Sequence, residues 1–469
     1  MLLCTGERGV TLMLLQRLIL VLTLSRPCLP ADRNALPQPP GIPKNGADTA
    51  ADPIGAPLDR LVDAYFRCDD VKQRGALAKE IDEAADGTIA IAADAVARVQ
   101  LWSDLPATGT FTFQSASDGP VSVTYRLPPD YNPTRRHPVL LTLAAAGTPD
   151  SPAPRVRYAD EFVYLSARWP SAGSFHQPTS AAASDLPRLL REARKLIHTD
   201  SNRVYLYGDL ETGDEAWSAA LTHSDLFAGM VVTFSFPQLP YTQHLYALLL
   251  PNLRWVPVTV WGTTLSRPGG RNMDLISSHN QWIIAFAKQN SLRIHGIEDR
   301  DDLSSAERSL ASTLSIAALE HSRPPAARKI SLWFRYPAQG RIGWLRQTKF
   351  MGDVWGHDQL HIVTAPTVDR DKFITDVIQD KLAYLGGEVD GQQIRIETRR
   401  CAEIELLLPD GLIDFTKPAV IRCNGRKRHD GKIRPSIRIL LETAYEEWDF
   451  QRLVVARLPL AIKSDSQDG

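Results

Sequence analysis

Four carboxylates fall within seven consecutive residues in the middle of the chain, namely Asp209, Glu211, Asp214 and Glu215. A carboxylate can act as a covalent nucleophile or as a general base, so this segment could support hydrolytic chemistry. Negative charge is also favourable at the N-terminus of a helix, and a helical pattern follows directly. An acidic, solvated helix N-terminus is therefore the alternative interpretation, and it requires no function.

Metal chemistry is not indicated by the pattern of histidines. His357, Asp358 and His361 are close in sequence, but their segment has the character of a strand or loop and offers no third ligand. We therefore predict neither a metal nor another cofactor.

The cysteines are few and irregularly spaced. Outside the first 30 residues only Cys68, Cys401 and Cys423 remain, and no CxxC pair occurs. This set argues against a disulfide scaffold and against a zinc site. Cys401 and Cys423 lie in neighbouring predicted strands, where a disulfide between them is the alternative to two buried free thiols, the state that we expect.

The charge balance limits the classes of partner. Lys and Arg total 53 against 54 Asp and Glu over 469 residues, which gives a net charge of -1. A nucleic-acid-binding protein normally has a basic surface, so nucleic acid is not predicted as a partner. Hydrophobic residues make up 43% of the chain, a fraction that fits a globular protein.

The N-terminus has the pattern of a secretory signal. Residues 11–24 are largely apolar, and residues 25–44 are polar and rich in proline. The uninterrupted apolar part, residues 18–24, is shorter than the roughly 20 residues that span a bilayer. We therefore expect a signal peptide over residues 1–30, a secreted or periplasmic protein, and no transmembrane span.

The periodicity of apolar residues divides the rest of the chain. A linker is expected over residues 31–55 and a helical preface over 56–108. From residue 109 to 322 short β-branched runs alternate with amphipathic helical patterns, which predicts a mostly parallel sheet with helices on both faces. A second linker over 323–328 leads to alternating runs over 329–462, which predict a β-sandwich interrupted by one helix at about 371–385. A polar tail covers 463–469.

Two features of the predicted sandwich could contact a glycan. Trp344 and Trp355 are less clearly core residues than the other tryptophans, and aromatic rings stack on sugars. The basic run at residues 424–431 has the composition of a hairpin turn, whose basic side chains are usually just solvated. The sequence names no partner: an envelope protein, a glycan and a small ester-like ligand stay open.

Residues 126–143, 200–217 and 225–231 contain three motifs in a fixed order. Together these segments resemble the α/β-hydrolase superfamily, in particular secreted esterases and prolyl-oligopeptidase-like (S9-type) peptidases. Residues 126–143, RLPPDYNPTRRHPVLLTL, resemble the entry strands of these families. Residues 200–217, DSNRVYLYGDLETGDEAW, are similar to their segment around the nucleophile, and residues 225–231, DLFAGMV, to the one that follows. The resemblance implies an α/β-hydrolase fold with a Ser, His and Asp triad.

The chain departs from this family at each triad position. The family places its serine in a G-x-S-x-G turn, where this chain has Leu210, and neither Asp209 nor Glu211 has small neighbours in the required places. Leu265 stands where the acid is expected, and Ile297 where the histidine is expected. The oxyanion loop, which normally contains histidine and glycine, is altered to LAAAG at residues 143–147.

These departures predict a degenerate hydrolase that acts as a binding or scaffolding module. The alternative is an active serine-type esterase or peptidase with non-standard or misplaced groups, for which His295, Glu211 and Glu298 are the fallback candidates.

Overall fold

The computed structural model of the protein describes residues 55–116, 119–144, 161–168, 184–209, 211–237, 242–265, 271–299, 319–323, 326–353 and 369–462. It opens with three helices: α1 (Gly55–Arg67), α2 (Val71–Ala84) and α3 (Ile89–Ala97). The side chain of Asp70 caps α2 by accepting a hydrogen bond from the backbone N–H of Gln73 at 2.7 Å. The predicted signal peptide lies outside the described residues.

In the described residues an eight-stranded sheet follows, accompanied by four α-helices. Its strands are β1 (Thr108–Gln114), β2 (Pro120–Arg126), β3 (His137–Ala144), β4 (Val163–Arg168), β5 (Thr199–Asp209), β6 (Gly229–Thr233), β7 (Val258–Leu265) and β8 (Ile294–Asp299). The helices are α4 (Asp185–Leu196), α5 (Glu211–Thr222), α6 (Thr242–Leu249) and α7 (Arg271–Gln289). Thus the sequence pattern of alternating strands and helices is confirmed in this region.

The strand order defines the class of the sheet. The order is β1-β2-β4-β3-β5-β6-β7-β8, with antiparallel pairing at β1–β2 and β2–β4 and parallel pairing from β4 to β8. A large mixed sheet of this order, accompanied by helices, is consistent with the α/β-hydrolase fold. We call the edge at which the parallel strands end the carboxyl edge, and the edge at which they begin the amino edge.

Alternate residues of the central strands enter two different cores. Val139, Leu141 and Leu143 of β3 pack in the larger cluster, together with buried residues of α4, α5, α6 and α7. Leu140 of β3 and Tyr205 of β5 pack in a smaller cluster on the other face.

The C-terminal part contains two sheets and two helices. Its elements are β9 (Lys329–Phe334), β10 (Arg341–Ile342), β11 (Leu345–Phe350), α8 (Arg370–Lys381), β12 (Ala383–Asp390), β13 (Gln393–Arg399), β14 (Cys401–Pro409), β15 (Ala419–Cys423), β16 (Arg426–Gly431), α9 (Ile437–Glu447) and β17 (Val454–Ala461). One sheet has the order β10-β11-β14-β17, the other β16-β15-β13-β12-β9, and both contribute to one apolar cluster. The β-sandwich itself stays a prediction.

Two helix assignments in this part require correction. The helix predicted at about 371–385 ends at Lys381, and β12 begins at Ala383. Helix α9 was not predicted, although Ile437, Leu440, Leu441 and Ala444 have the i, i+3, i+4, i+7 spacing of a helix and are buried. These residues pack against α1, α2 and α3 in a shared cluster.

The structure describes one of the two tryptophans and both of the cysteines that the sequence analysis singled out. Trp344 is only 2% exposed, and its indole N–H donates to the carbonyl of Ala327 at 2.9 Å, so it is a core residue and not a glycan-stacking surface. Trp355 lies outside the described residues. Cys401 and Cys423 are buried free thiols, as expected, and burial raises the pKa of the Cys401 thiol to about 12. Among the described residues, no helix is long and apolar enough to cross a membrane.

Candidate active site

The strand-to-helix junction at the end of β5 has the form of a sharp turn. Strand β5 ends at Asp209 and α5 begins at Glu211, and Leu210 between them lies outside the described residues. A β-carbon placed on Gly208 would lie 2.5 Å from the Cα atom of Gly213, so strand and helix touch there through glycines. This contact supports the register in which Leu210 occupies the nucleophile position of the G-x-S-x-G turn.

Hydrogen bonds fix the residues on both sides of this junction. The Oγ1 atom of Thr212 accepts from the backbone N–H of Asp209 at 2.8 Å and lies 2.9 Å from its carbonyl, to which it donates. The carboxylate of Asp209 accepts from the hydroxyl of Thr233 at 2.5 Å. Thr212 thus stands where the family motif has its second glycine and ties the first turn of α5 back to β5.

Two acidic residues of α5 do not belong to the solvated helix end that the sequence suggested. Asp214 and Glu215 are both buried, and Asp214 accepts a hydrogen bond from Ser235 at 2.5 Å. Burial, reinforced by the nearby charge of Asp214, raises the pKa of Glu215 to about 8. The interpretation as a solvated terminus is wrong for these two residues because α5 packs against the central strands, where its first turns meet protein instead of water.

Strand pairing shows which positions lie level with the junction. Asp209 pairs with Thr233, Thr233 with Trp261, and Trp261 with Ile297, so one row crosses from β5 to β8. Ile297 is therefore inside β8, whereas the sequence interpretation put it in a turn before the last helix. The reason is that the run from 294 to 299 continues the parallel pairing with β7.

His295, one of the fallback candidates for a catalytic group, lies outside this row of residues. His295 pairs with Thr259 near the start of β7, two residues before Ile297 towards the amino edge, and it is exposed. At about 3.3 Å per residue, this places it more than 6 Å behind the row that contains Asp209. The structure therefore does not bring His295 together with the junction.

The next histidine along the chain is at the opposite edge. No histidine occurs between residues 296 and 320, and the Nε2 atom of His321 lies 3.1 Å from the guanidinium of Arg293. Arg293 immediately precedes β8, so His321 belongs to the amino edge. Neither His295 nor His321 thus occupies, in the described part of the chain, the place after β8 that the histidine of such a triad requires.

For the other predicted site residues the structure describes only the backbone. Leu265 is the last residue of β7 and pairs with Asp299, so Glu298 lies beside it at the carboxyl edge. Glu211 is the first residue of α5. The side chains of these three candidates, and the altered oxyanion loop after Ala144, lie outside the described residues, so their roles stay predictions.

Two features near the carboxyl edge were missed by sequence reasoning. The ring of His279 in α7 stacks on Phe236 with centroids 4.4 Å apart, and no motif marked this histidine. Phe234 has a φ of 49°, in the left-handed region that a bulky residue rarely adopts. A β-carbon on the neighbouring Gly262 would lie 2.7 Å from the Phe234 ring, so this conformation depends on a glycine in β7.

Metal ligation finds no support in the part of the chain that the structure describes, which holds no group of three or more His, Cys, Asp or Glu residues suited to an ion. His357, Asp358 and His361 lie outside this part.

Comparison with known proteins gives matches among solved structures only. No family model matches, and no curated protein matches. A thermostable esterase is 18% identical with a TM-score of 0.35; the match covers 46% of this chain and 64% of the esterase, so the chain spans less than two thirds of its length.

Two further solved structures have a similar degree of likeness. An esterase of Pyrobaculum calidifontis is 14% identical over 52% of this chain and 92% of the esterase, with a TM-score of 0.35. The fluorophosphonate-binding serine hydrolase F of Staphylococcus aureus is 13% identical over 45% and 98%, with a TM-score of 0.33. Similarity at this level does not identify a family, and the strand order of the sheet carries the assignment of fold class.

Proposed function

We propose that this chain is an α/β-hydrolase-fold protein without serine-hydrolase activity, which acts as a binding or scaffolding module. The observation that carries the proposal is the contact between Gly208 and Gly213, which supports placing Leu210 at the nucleophile position. A leucine side chain consists of carbon and hydrogen and cannot add to a carbonyl group, whatever its neighbours are.

The position of the missing base supports the same proposal. Ile297 stands in the row of residues level with the junction, and His295 is exposed two residues behind it. His321, the first histidine after β8, lies beside Arg293 at the amino edge. Neither His295 nor His321 is therefore placed to accept the proton of a serine introduced at the junction.

The sequence pattern at the N-terminus further suggests where the module acts. The signal peptide predicted over residues 1–30 would deliver the protein to the periplasm or the outside of the cell. We therefore propose a role at the cell envelope, with a partner protein, a glycan or a small ester-like molecule as the ligand.

An activity-based experiment tests this proposal. The chain from Ala31 onward is incubated with a reactive fluorophosphonate and analysed by intact mass, and turnover of a short-chain nitrophenyl ester is measured in parallel. We expect neither an adduct nor turnover from protein that unfolds cooperatively on heating, with an active esterase as the positive control. A single adduct together with turnover would show an activated serine, and peptide mapping of the adduct would locate it.

A further inference from the structure

A cavity of about 70 Å³ lies at the amino edge of the eight-stranded sheet, where this sheet meets the C-terminal part. Ser224, Asp225 and Arg323 line it from one side, and Arg341, Trp344 and Arg452 from the other. Ser224 and Asp225 precede β6, whereas the junction at Leu210 follows β5 at the carboxyl edge. The cavity is therefore separate from the candidate active site.

Two of the three arginines in the cavity wall have carboxylate partners. Arg452 donates two hydrogen bonds to the carboxylate of Asp225, at 3.0 and 3.2 Å. Arg341 donates two to the carboxylate of Glu447, one of them at 2.8 Å. Both pairs are bidentate, a geometry that suits a buried arginine.

The carboxylate of the nearby Asp449 also has its own hydrogen-bond donors. Its carboxylate accepts from the Ser201 hydroxyl at 2.6 Å and from the backbone N–H groups of Gln451 and Arg452, and the Arg194 guanidinium lies 4.0 Å away. Each described carboxylate of this cluster thus has its own set of donors, and none of the ion pairs includes Arg323.

Arg323 is the arginine of the cavity wall that forms no ion pair within 4.0 Å with a described carboxylate, although the charges of Asp225 and Asp449 act on it from farther away. It is 8% exposed, and its terminal nitrogens donate only to the backbone carbonyls of Asp225 and Ser201. Its Nε atom has no hydrogen-bond partner among the described residues, and none of their carboxylates lies within 4.0 Å of its guanidinium. Burial disfavours a cation that has no carboxylate in direct contact, so an anion beside the guanidinium would be favoured.

The hydroxyl of Ser224 adds a second donor without a partner. Ser224 is 4% exposed, and its Oγ atom is buried without a hydrogen bond in the described part of the chain. It adjoins Asp225, whose carbonyl accepts from Arg323. The remaining wall is largely apolar and includes Phe227, Ile330 and Trp344. The cavity therefore offers donors at one end and hydrocarbon at the other.

We propose that this cavity binds a small monocarboxylate with a short apolar body. Its carboxylate accepts hydrogen bonds from Arg323 and Ser224, and its alkyl group packs against Ile330 and Trp344. One water needs about 10–15 Å³ of such cavity volume, so about 70 Å³ admits several non-hydrogen atoms, which suits a carboxylate of about three carbons. Inorganic phosphate is disfavoured because its remaining oxygens would face the apolar wall.

Titration calorimetry with sodium propionate tests the proposal on the chain from Ala31 onward. We expect saturable one-to-one binding of propionate, and binding at least about tenfold weaker for neutral propionamide and for phosphate, equivalent to ~1.4 kcal/mol. Equal binding of phosphate and propionate would contradict the apolar part of the site, and no binding of propionate would overturn the proposal.

Two substitutions localise the binding. Arg323→Met should weaken propionate binding at least about tenfold, and the matched exposed substitution Arg395→Met on β13 should leave it unchanged. Arg323→Met should still unfold cooperatively, because it breaks no ion pair. Ser224→Ala, which removes one hydroxyl, gives a second measure and should weaken binding several-fold. Undiminished binding in both Arg323→Met and Ser224→Ala would exclude this cavity as the site.

Discussion

Gly208 at the end of β5 and Gly213 in the first turn of α5 approach so closely that a β-carbon on Gly208 would fall 2.5 Å from the Gly213 Cα atom. A β-carbon on Gly213 would in turn overlap Ser235. The strand-to-helix junction therefore depends on the absence of side chains at two positions, whatever residue stands at 210.

Gly208→Ala should destabilise the protein by about 1–3 kcal/mol, because backbone atoms of α5 must move to admit the methyl group. Urea denaturation of the variant and the wild type measures the difference. Gly75→Ala is the matched control: nothing lies within 4 Å of a β-carbon there, in the middle of α2, so it should stabilise by about 0.5–1 kcal/mol. Equal effects of the two substitutions would contradict the close approach at the junction.

Leu210→Ser should not create esterase activity. The substitution supplies a hydroxyl, but His295 is exposed behind the row level with the junction and His321 lies at the amino edge, so neither is placed to act as its base. Initial rates with a short-chain nitrophenyl ester should stay at the wild-type background. A clear gain from this single change would show that a working base survives near residue 210 and would favour the active-hydrolase alternative.

The order of strands and helices was predictable because it depends on local periodicity. Val121, Val123 and Tyr125 alternate in β2 as the period of two requires, and all three are buried. The spacing of Ile437 and Leu440 likewise indicates helix α9, although the sequence predictions for this region contain only short strands. The period of the apolar residues shows which face of an element is buried, so the same signal predicts both strands and helices.

The electrostatic features could not be predicted, because they arise from contacts between distant parts of the chain. Asp225 and Arg452 are 227 residues apart, and no local pattern marks them as partners. Similarly, the composition of α5 suggested a solvated acidic end, and only the packing of the helix shows that Glu215 is buried. Burial is a property of the assembled fold, and the protonation state of a carboxylate follows from it.

Arg452→Met should destabilise the protein, by up to about 3–5 kcal/mol, because it leaves the Asp225 carboxylate, whose side chain is only 11% exposed, without its bidentate partner. Adding Asp225→Asn should recover part of this loss, since the double variant has no uncompensated charge. Thermal and urea unfolding of the two single variants and the double variant form a cycle that isolates the pair. Strictly additive effects would contradict a direct interaction between the two side chains.

Acid should destabilise the protein through His198. Burial, followed by the positive charge of Arg136, lowers the pKa of its imidazole to about 4, while the ring stacks on Trp102 with centroids 3.7 Å apart. The unfolded chain takes up the proton near pH 6.5, so the stability that depends on neutral His198 is complete above that pH and is lost as the pH falls towards 4. The expected slope is about 1.4 kcal/mol per pH unit.

His198→Gln tests this assignment. The variant loses the stacking contact and should be less stable at pH 7, but its stability should fall less steeply than that of the wild type between pH 6.5 and 4. Urea unfolding at several pH values measures both quantities. Identical slopes for the variant and the wild type would mean that other groups carry the acid sensitivity.

Glu215 should make the protein less stable as the pH rises. Its pKa rises from 4.5 to about 8 on folding, because burial and the charge of Asp214 oppose ionisation. Between these values the folded protein holds a proton that the unfolded chain has released, so stability decreases as the pH rises. Glu215→Gln removes this proton uptake, and its stability relative to the wild type should grow by about 1 kcal/mol per pH unit from pH 5 to 8. Urea unfolding across this range, with the surface substitution Glu442→Gln on α9 as the control, measures the trend, and a constant difference would show that Glu215 is ionised in the folded protein.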